Sequence, residues 1–410
     1  SPQGTVLAKS MLLFSESETI WKPDTEARWL AIHGANCFGY DKVTLDERVA
    51  WVHERKNEIF ETCKDPMTND WWTEADDPWQ FLAFCFEWGD LLACGGRGFK
   101  TRLPVAMDAS NNGIQILSLL GRDEVGGQAT NVTATETPAD LYGFVADKVN
   151  EYLLADAKKG DHIATAWLKF GVDRKTTKRP VMVKPYGGTR FSCREYVDEW
   201  MADKCLRDNL DPFGTETMSA VGYLSKLVWK AMDQCLQRPN AVMSWLQQNA
   251  RVLAHEQKAV DWTTPTGFRV RQKYYNTKAM SIRSLLGENV SYIRWHEPTS
   301  KLDKVRQGNG ISPNFVHSLD ASVAHVTTNY ANEHGIRSLG MVHDSFATHC
   351  NNCDKLGMLV RKAASEIFKP DLLAKFRDEI TTQTEKELPD LPPYGTLDPL
   401  EVLGSDYFFA

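Results

Sequence analysis

Residues 101–113 read TRLPVAMDASNNG, and residues 341–346 read MVHDSF. The first stretch is a short buried strand that runs into a polar, turn-prone segment from Ala109 to Gly113, so Asp108 arrives at a strand end. The second lies within SLGMVHDSFATHC, which reads as two short strands reversing near Asp344-Ser345 and brings Asp344 to another strand end. Burying a lone carboxylate costs several kcal/mol unless it is paired or bound to a cation. Two of them invite a hard metal ion, and magnesium, held by one or two carboxylates plus phosphates and water, is the natural occupant. Taken singly, each aspartate reads as a turn cap.

Between these stretches the chain turns basic. From Trp167 to Arg194 it carries Lys169, Arg174, Lys175, Lys178, Arg179, Lys184, Arg190 and Arg194 against Asp173. Within RKTTKRPVMVKPYG, the residues Arg174, Lys178, Met182 and Tyr186 recur every fourth position, one stripe on a helix. Such a stripe can read one nucleotide: Arg174 and Lys178 at a triphosphate, Met182 and Tyr186 near base and sugar. The bland alternative is a solvated basic face. Pro185 should end the helix before Tyr186-Gly187, and Pro180 predicts a local distortion or a late start.

Further out, LDERVAWVHERKNEIFETC (45–63) reads as one amphipathic helix, and a second helix is predicted from an N-cap at Thr137 with Pro138 in its first turn to Gly160. DWTTPTGFRVRQKYY and KAMSIRSLLGENVSYIRWHEP read as two hairpins, the second turning at Gly287-Glu288-Asn289. Helices are predicted at 314–333, 354–368 and 371–387. LPDLPPYGTLDP reads as a surface connection to the aromatic terminus Tyr407-Phe408-Phe409-Ala410. There is no internal repeat. The fold class is α+β, predominantly helical.

The 410 residues are 42% hydrophobic and 25% charged, ordinary for a globular protein of two or three domains and unlike disordered or collagenous chains. The net charge of −7 argues against coating nucleic acid by bulk electrostatics and leaves room for a local basic groove. Nine cysteines form no disulfide framework, and Cys350-Asn-Asn-Cys353 reads as free thiols rather than a zinc or redox site. No apolar stretch approaches the ~20 residues of a membrane span. The expectation is an intracellular protein with no membrane partner.

The segments LPVAMDASNNGIQ, RKTTKRPVMVKPYG and MVHDSF resemble motifs A, B and C of the single-subunit, bacteriophage-type DNA-dependent RNA polymerases. The resemblance extends through HGANCFGYDKV, DPWQFLAFCFEW, RDEVGGQATNV, ETPADLYGFVADKVN, WTTPTGFRV and ISPNFVHSLDAS, in order along nearly the whole chain. It implies a right-hand polymerase fold with a palm from residues 1–122 and 318–410 and fingers from 123–317, the latter carrying a promoter-type specificity hairpin at 278–298. The implied catalytic residues are Asp108, Asp344, Lys178 and Tyr186, with two Mg²⁺ held by Asp108, Asp344 and the Ala109 carbonyl. Substrate contacts are implied for Arg174, Lys42, Lys9, Met182, Gly187, His317 and His343. Tyr186 and His317 correspond to groups that sense the ribose. His343 is read as supporting the primer end or packing the turn, not as a base, and both histidines also read as hydrogen-bonded core residues.

Departures from the family pattern are Ala109 after the first aspartate, Ile116 after the Ile-Gln pair, and Pro180 and Gly188 in motif B. The implied reaction is DNA-templated RNA synthesis from ribonucleoside triphosphates, in the cytoplasm, that of an infected bacterial host if phage-encoded. Two alternatives stand beside it: a family A DNA polymerase, disfavoured because DASNNGIQ lacks the usual glutamate and motif C ends in serine, and a non-catalytic nucleic-acid-binding subunit. A complete relative is about twice this length, so the thumb and N-terminal domain are expected on a second subunit or another part of the chain. A single-stranded-DNA-binding or promoter-recruiting factor is a further expected partner.

Overall fold

The computed structural model describes residues 5–286 and 289–410 and is predominantly helical, with small antiparallel sheets. At its centre the strand Val105–Asp108 pairs with Ser345–Thr348, which pairs in turn with Gly340–Val342. Alternation sends Val105 and Met107 into the core on one strand and Phe346 and Thr348 on the other, while Asp108 emerges at the sheet's end. Opposite registers Asp108↔Ser345 and Val342↔Ser345 leave His343 and Asp344 as a two-residue reversal. That reversal is one residue earlier than the sequence predicts. On the other side of the first strand, Ala109 bridges Phe409 and the Ala410 N–H donates to the Asp108 carbonyl at 3.3 Å.

The Asn112–Gly121 helix follows Asp108 at once and is buried throughout. The Asn111 side chain accepts from the Ile114 N–H at 3.2 Å, so Asn112 and Gly113, predicted as loop, already belong to the helix. Residues 45–63 form two helices, Leu45–Glu54 and Lys56–Lys64. Arg55 at φ −98°, ψ 16° breaks the run, and its guanidinium lies 4.5 Å over the Trp51 ring. The helix predicted from Thr137 spans Leu141–Ala157. Asp140 is its cap, accepting from the Tyr142 N–H at 3.1 Å, because the Asn131 amide engages both backbone groups of Ala139 and keeps 137–139 outside the helix.

Both hairpins are present: Val260–Thr263 pairs with Arg269–Gln272, and Tyr275–Leu286 with Asn289–Leu302. The predicted turn residues Gly287 and Glu288 lie outside the described residues. The helix predicted from Asn314 begins at Lys304, capped by Asp303, and runs to Glu333 through Pro313. Proline there removes only the bond to the Asn309 carbonyl, so the helix continues through it and starts ten residues before the predicted Asn314. The last predicted helix spans only Leu372–Thr381. Between the two halves of the central sheet, the helices Leu141–Ala157, His162–Phe170, Arg190–Asp208 and Thr217–Cys235 form a separate layer. Its core is an aromatic cluster in which Trp167 packs 4.4 Å from Phe213 with the ring planes 45° apart and donates from its indole to the Ala220 carbonyl at 3.1 Å. Among the described residues no helix is long and apolar enough to cross a membrane.

Candidate active site

Arg174–Val183 is the helix that faces the central sheet. Asp173 starts it by accepting from the Lys175 and Thr176 N–H groups at 2.9 and 3.3 Å, and its own N–H donates to the Thr176 hydroxyl at 3.1 Å. The start is therefore early despite Pro180, which is buried inside the helix and leaves the Thr176 carbonyl without its usual donor. Thr177 donates to the Tyr142 carbonyl at 2.7 Å, fixing the buried side and turning Arg174, Lys178 and Met182 outward. A short 3₁₀ turn, Lys184–Tyr186, then stops at Gly187, whose φ of 91° lies in the left-handed region that glycine tolerates. Gly188 sits in tight space, where a Cβ would come 3.0 Å from the Val183 carbonyl oxygen.

A cleft of about 280 Å³ brings Asp108, Ala109, Lys42, Arg174 and Lys178 together, with Tyr142 on its wall. Arg174 is oriented by an ion pair to Asp140 at 3.0 Å and lies 5.2 Å over the Tyr142 ring. Lys42 pairs with Asp41 at 2.9 Å, and Lys178 has no ion-pair partner among the described residues. A compact, unpaired cation facing a carboxylate-lined cleft suits a phosphate. Asp108 stands where water reaches it, yet the surrounding protein holds its carboxyl above the usual range, against an opposing bond from Ser345. Lys9, exposed on the Val6–Ser10 helix, lowers Asp108 slightly by its charge and does not line the cleft.

Asp344, Tyr186, His317 and His343 form an adjoining group. Tyr186 and His317 stack with ring centres 4.8 Å apart and planes 10° off parallel, and His317 meets His343 edge-on at 4.6 Å. Tyr186 rests on Gly113, where a Cβ would come within 2.5 Å of Pro185 and 3.1 Å of the tyrosine ring. Burial pushes the Tyr186 hydroxyl well above the usual phenol range, so it stays neutral, and it bonds the Gly113 backbone. Burial also lowers His317. His343 is raised, chiefly by its bond to Asp320, whose Oδ2 lies 2.7 Å from Nδ1. Met182 is 43% exposed on the outward stripe, and Gly187 lines a separate cleft with Lys184 and Asn309.

Sequence reasoning passed over Asp140, Tyr142 and Asp320. Asp320 left one trace, its position three residues after His317 on a helical face. Ile116 is buried in the core and touches none of this chemistry.

The two carboxylates fit a divalent cation. Neither forms an ion pair among the described residues, and burial raises both, Asp344 also through the charges of Asp320 and then Asp108, against the opposing charge of His343. Among the described residues no three His, Cys, Asp or Glu side chains converge on a metal-sized position. Asp108 and Asp344 with phosphate and water as the remaining ligands is therefore the donor set magnesium would find.

A small sheet presenting two carboxylates at one end, opposed by a helix bearing Arg174 and Lys178 and by the turn bearing Tyr186, fits the fold of a right-hand polymerase. The family model for DNA-dependent RNA polymerase matches residues 23–388, and the chain belongs to that family. It is 35% identical over 458 residues to the DNA-directed RNA polymerase of Enterobacteria phage T3 and 35% over 460 residues to the T7 RNA polymerase of Escherichia phage T7, covering 100% of this chain and 51% of each relative. It is also 32% identical over 417 residues to the chloroplastic/mitochondrial DNA-directed RNA polymerase 2B of Nicotiana tabacum, covering 99% of this chain and 40% of that protein. The chain thus spans about half the length of the phage relatives.

Proposed function

We propose that this chain carries the catalytic centre for DNA-templated RNA synthesis: attack of an RNA 3′-oxygen on the α-phosphorus of a ribonucleoside triphosphate, with pyrophosphate released. The observation that carries the reading is the shared cleft of Asp108, Arg174 and Lys178 beside Asp344. Mg²⁺ held by Asp108, Asp344 and the Ala109 carbonyl would supply charge neutralisation and an acidified 3′-hydroxyl. Arg174, pre-oriented by Asp140, grips the triphosphate as a planar fork; Lys178 places a positive charge, and a transferable proton, at the departing pyrophosphate. Lys42 adds a phosphate contact at the rim, whereas Lys9, outside the cleft, acts on Asp108 only through its charge. The neutral Tyr186 hydroxyl and the stacked His317 face the sugar, with Met182 near the base and Gly187 giving the turn its shape.

In this reading residues 1–122 and 318–410 form the palm and 123–317 the fingers, with the hairpin at 278–298 in the place of a promoter-reading loop. The template and transcript would track the fingers, where a larger cleft of about 650 Å³ is walled by Arg190, Arg194, Lys226, Lys230, Phe191 and Trp229, cations and rings suited to a nucleic-acid strand. A second subunit carrying thumb and N-terminal domain, a recruiting factor, and action in the cytoplasm of a phage-infected host belong to the same proposal. The test is a run-off assay on single-stranded and duplex templates, with the chain alone and with co-purifying protein, supplying ribo- or deoxyribonucleotides. Ribonucleotide-dependent transcripts that fall by about 10²–10³-fold or more in Asp344→Ala are expected. Synthesis that survives the substitution would reject the assignment of the site.

A further inference from the structure

We infer that Asp320 is a positioning residue that locks together the two strand ends bearing Asp108 and Asp344, an inference that rests on the reading of those carboxylates proposed above. Asp320 is 8% exposed on the Lys304–Glu333 helix, and its two oxygens are used separately. Oδ1 accepts from the Asn112 amide at 2.7 Å, and Oδ2 lies 2.7 Å from Nδ1 of His343. Asn112 opens the helix that begins four residues after Asp108, and His343 immediately precedes Asp344. One carboxylate on a third element thus holds the chain just beyond the first aspartate and just before the second.

The His343 backbone shows why a holder is needed. At φ 59° it occupies the first position of a two-residue reversal, where glycine is the usual resident and asparagine, aspartate and histidine are the commoner exceptions. An imidazole persists in that well only where its surroundings fix it. Because an ionised carboxylate accepts hydrogen bonds and donates none, the hydrogen between them sits on Nδ1, and Nε2 is the nitrogen turned away from Asp320. The ring so fixed packs edge-on against His317 and Tyr186, at 4.6 and 6.4 Å, so a rotation of His343 reaches the residues proposed to face the sugar. Asparagine at 320 cannot reproduce this arrangement, since its own amide would point at one of the two N–H donors. Glutamate keeps both acceptors but displaces them by a methylene.

The discriminating variant is Asp320→Asn, with Asp320→Glu as the conservative companion and His343→Ala as the background for a double-mutant cycle. In the metal-free, nucleotide-free protein, ¹⁵N NMR should show the His343 Nδ1 resonance moving in Asp320→Asn. In run-off assays kcat should fall about 10- to 100-fold with little change in KM for the ribonucleotide, in the range of lost outer support around ligating groups. Asp320→Glu should recover part of the loss, and Asp320→Asn should cost nothing further in the His343→Ala background. A folded Asp320→Asn with normal kcat and an unmoved His343 resonance overturns the inference, as does full additivity in the cycle. If Asp320→Asn does not fold, Asn112→Ala, which deletes one of the two bonds, takes its place, and unchanged kcat there counts against the lock. If the wild-type chain makes no RNA alone or with co-purifying protein, the proposed function fails by itself, and the His343 resonance alone then decides the role of Asp320.

Discussion

Asp108 and Asp344 are held against their own stability. Burial raises both carboxyl groups above the usual carboxylate range, so between that range and their folded values the native chain binds more protons than the unfolded one, and stability falls as pH rises through the window. At neutral pH their ionised forms therefore weaken the metal-free fold. Asp344→Asn removes one such charge and should raise the melting temperature in the absence of magnesium. Added Mg²⁺ should stabilise the wild type, by about 2.7 kcal/mol at a concentration 100 times the dissociation constant, and the variant much less. Thermal unfolding with and without magnesium checks both arms; a variant that melts lower than wild type in metal-free buffer contradicts the account.

At the scale of elements, the Arg28–Phe38 helix contributes to the core on nearly every side and encloses His33, 6% exposed, with Nε2 3.6 Å from the Cys37 sulfur. Burial lowers His33 to about 4. The unfolded chain takes up that proton near pH 6.5 and the folded chain near 4, so stability should be complete above 6.5 and lost as pH falls toward 4, by about 3 kcal/mol from this group. Urea midpoints across this window should slope for the wild type and flatten by that amount in His33→Gln. The local signals in the sequence were enough for elements like these: alternation announced both hairpins and the Asp108 strand, and the four-residue stripe announced Arg174, Lys178 and Met182. Boundaries were less legible where a distant residue sets them. Asn131 holds Ala139 and moves a helix start from Thr137 to Asp140, and Pro180 and Pro313 sit inside helices whose capping and packing outweigh one missing bond. Asp320 stayed hidden because its partners lie on segments far along the chain, and no local pattern records such a meeting.

For the whole molecule, the net charge of −7 and the basic lining of the larger cleft describe different surfaces. Arg179 and Lys184 are neutralised by Glu199 and Asp233, whereas Arg190, Arg194, Lys226 and Lys230 converge on the larger cleft. Binding of a single-stranded oligonucleotide should therefore weaken steeply with salt despite the acidic total. Arg194→Ala and Lys226→Ala should each lower the slope of log affinity against log salt by about one, measured by fluorescence anisotropy over a sodium chloride series. Slopes unchanged in both variants would place the strand elsewhere. The central sheet carries a different consequence. The strand ending in Asp108 finds its partner at Ser345, more than two hundred residues later. At about 5–20 residues per second of synthesis, the first carboxylate waits ten seconds or longer on the ribosome before the second exists. Its strand must stay unpaired along that edge throughout the interval, which makes closure of so long a loop a slow step in maturation. A chain interrupted anywhere between the two strands would be left with the first strand's edge open and the second carboxylate missing.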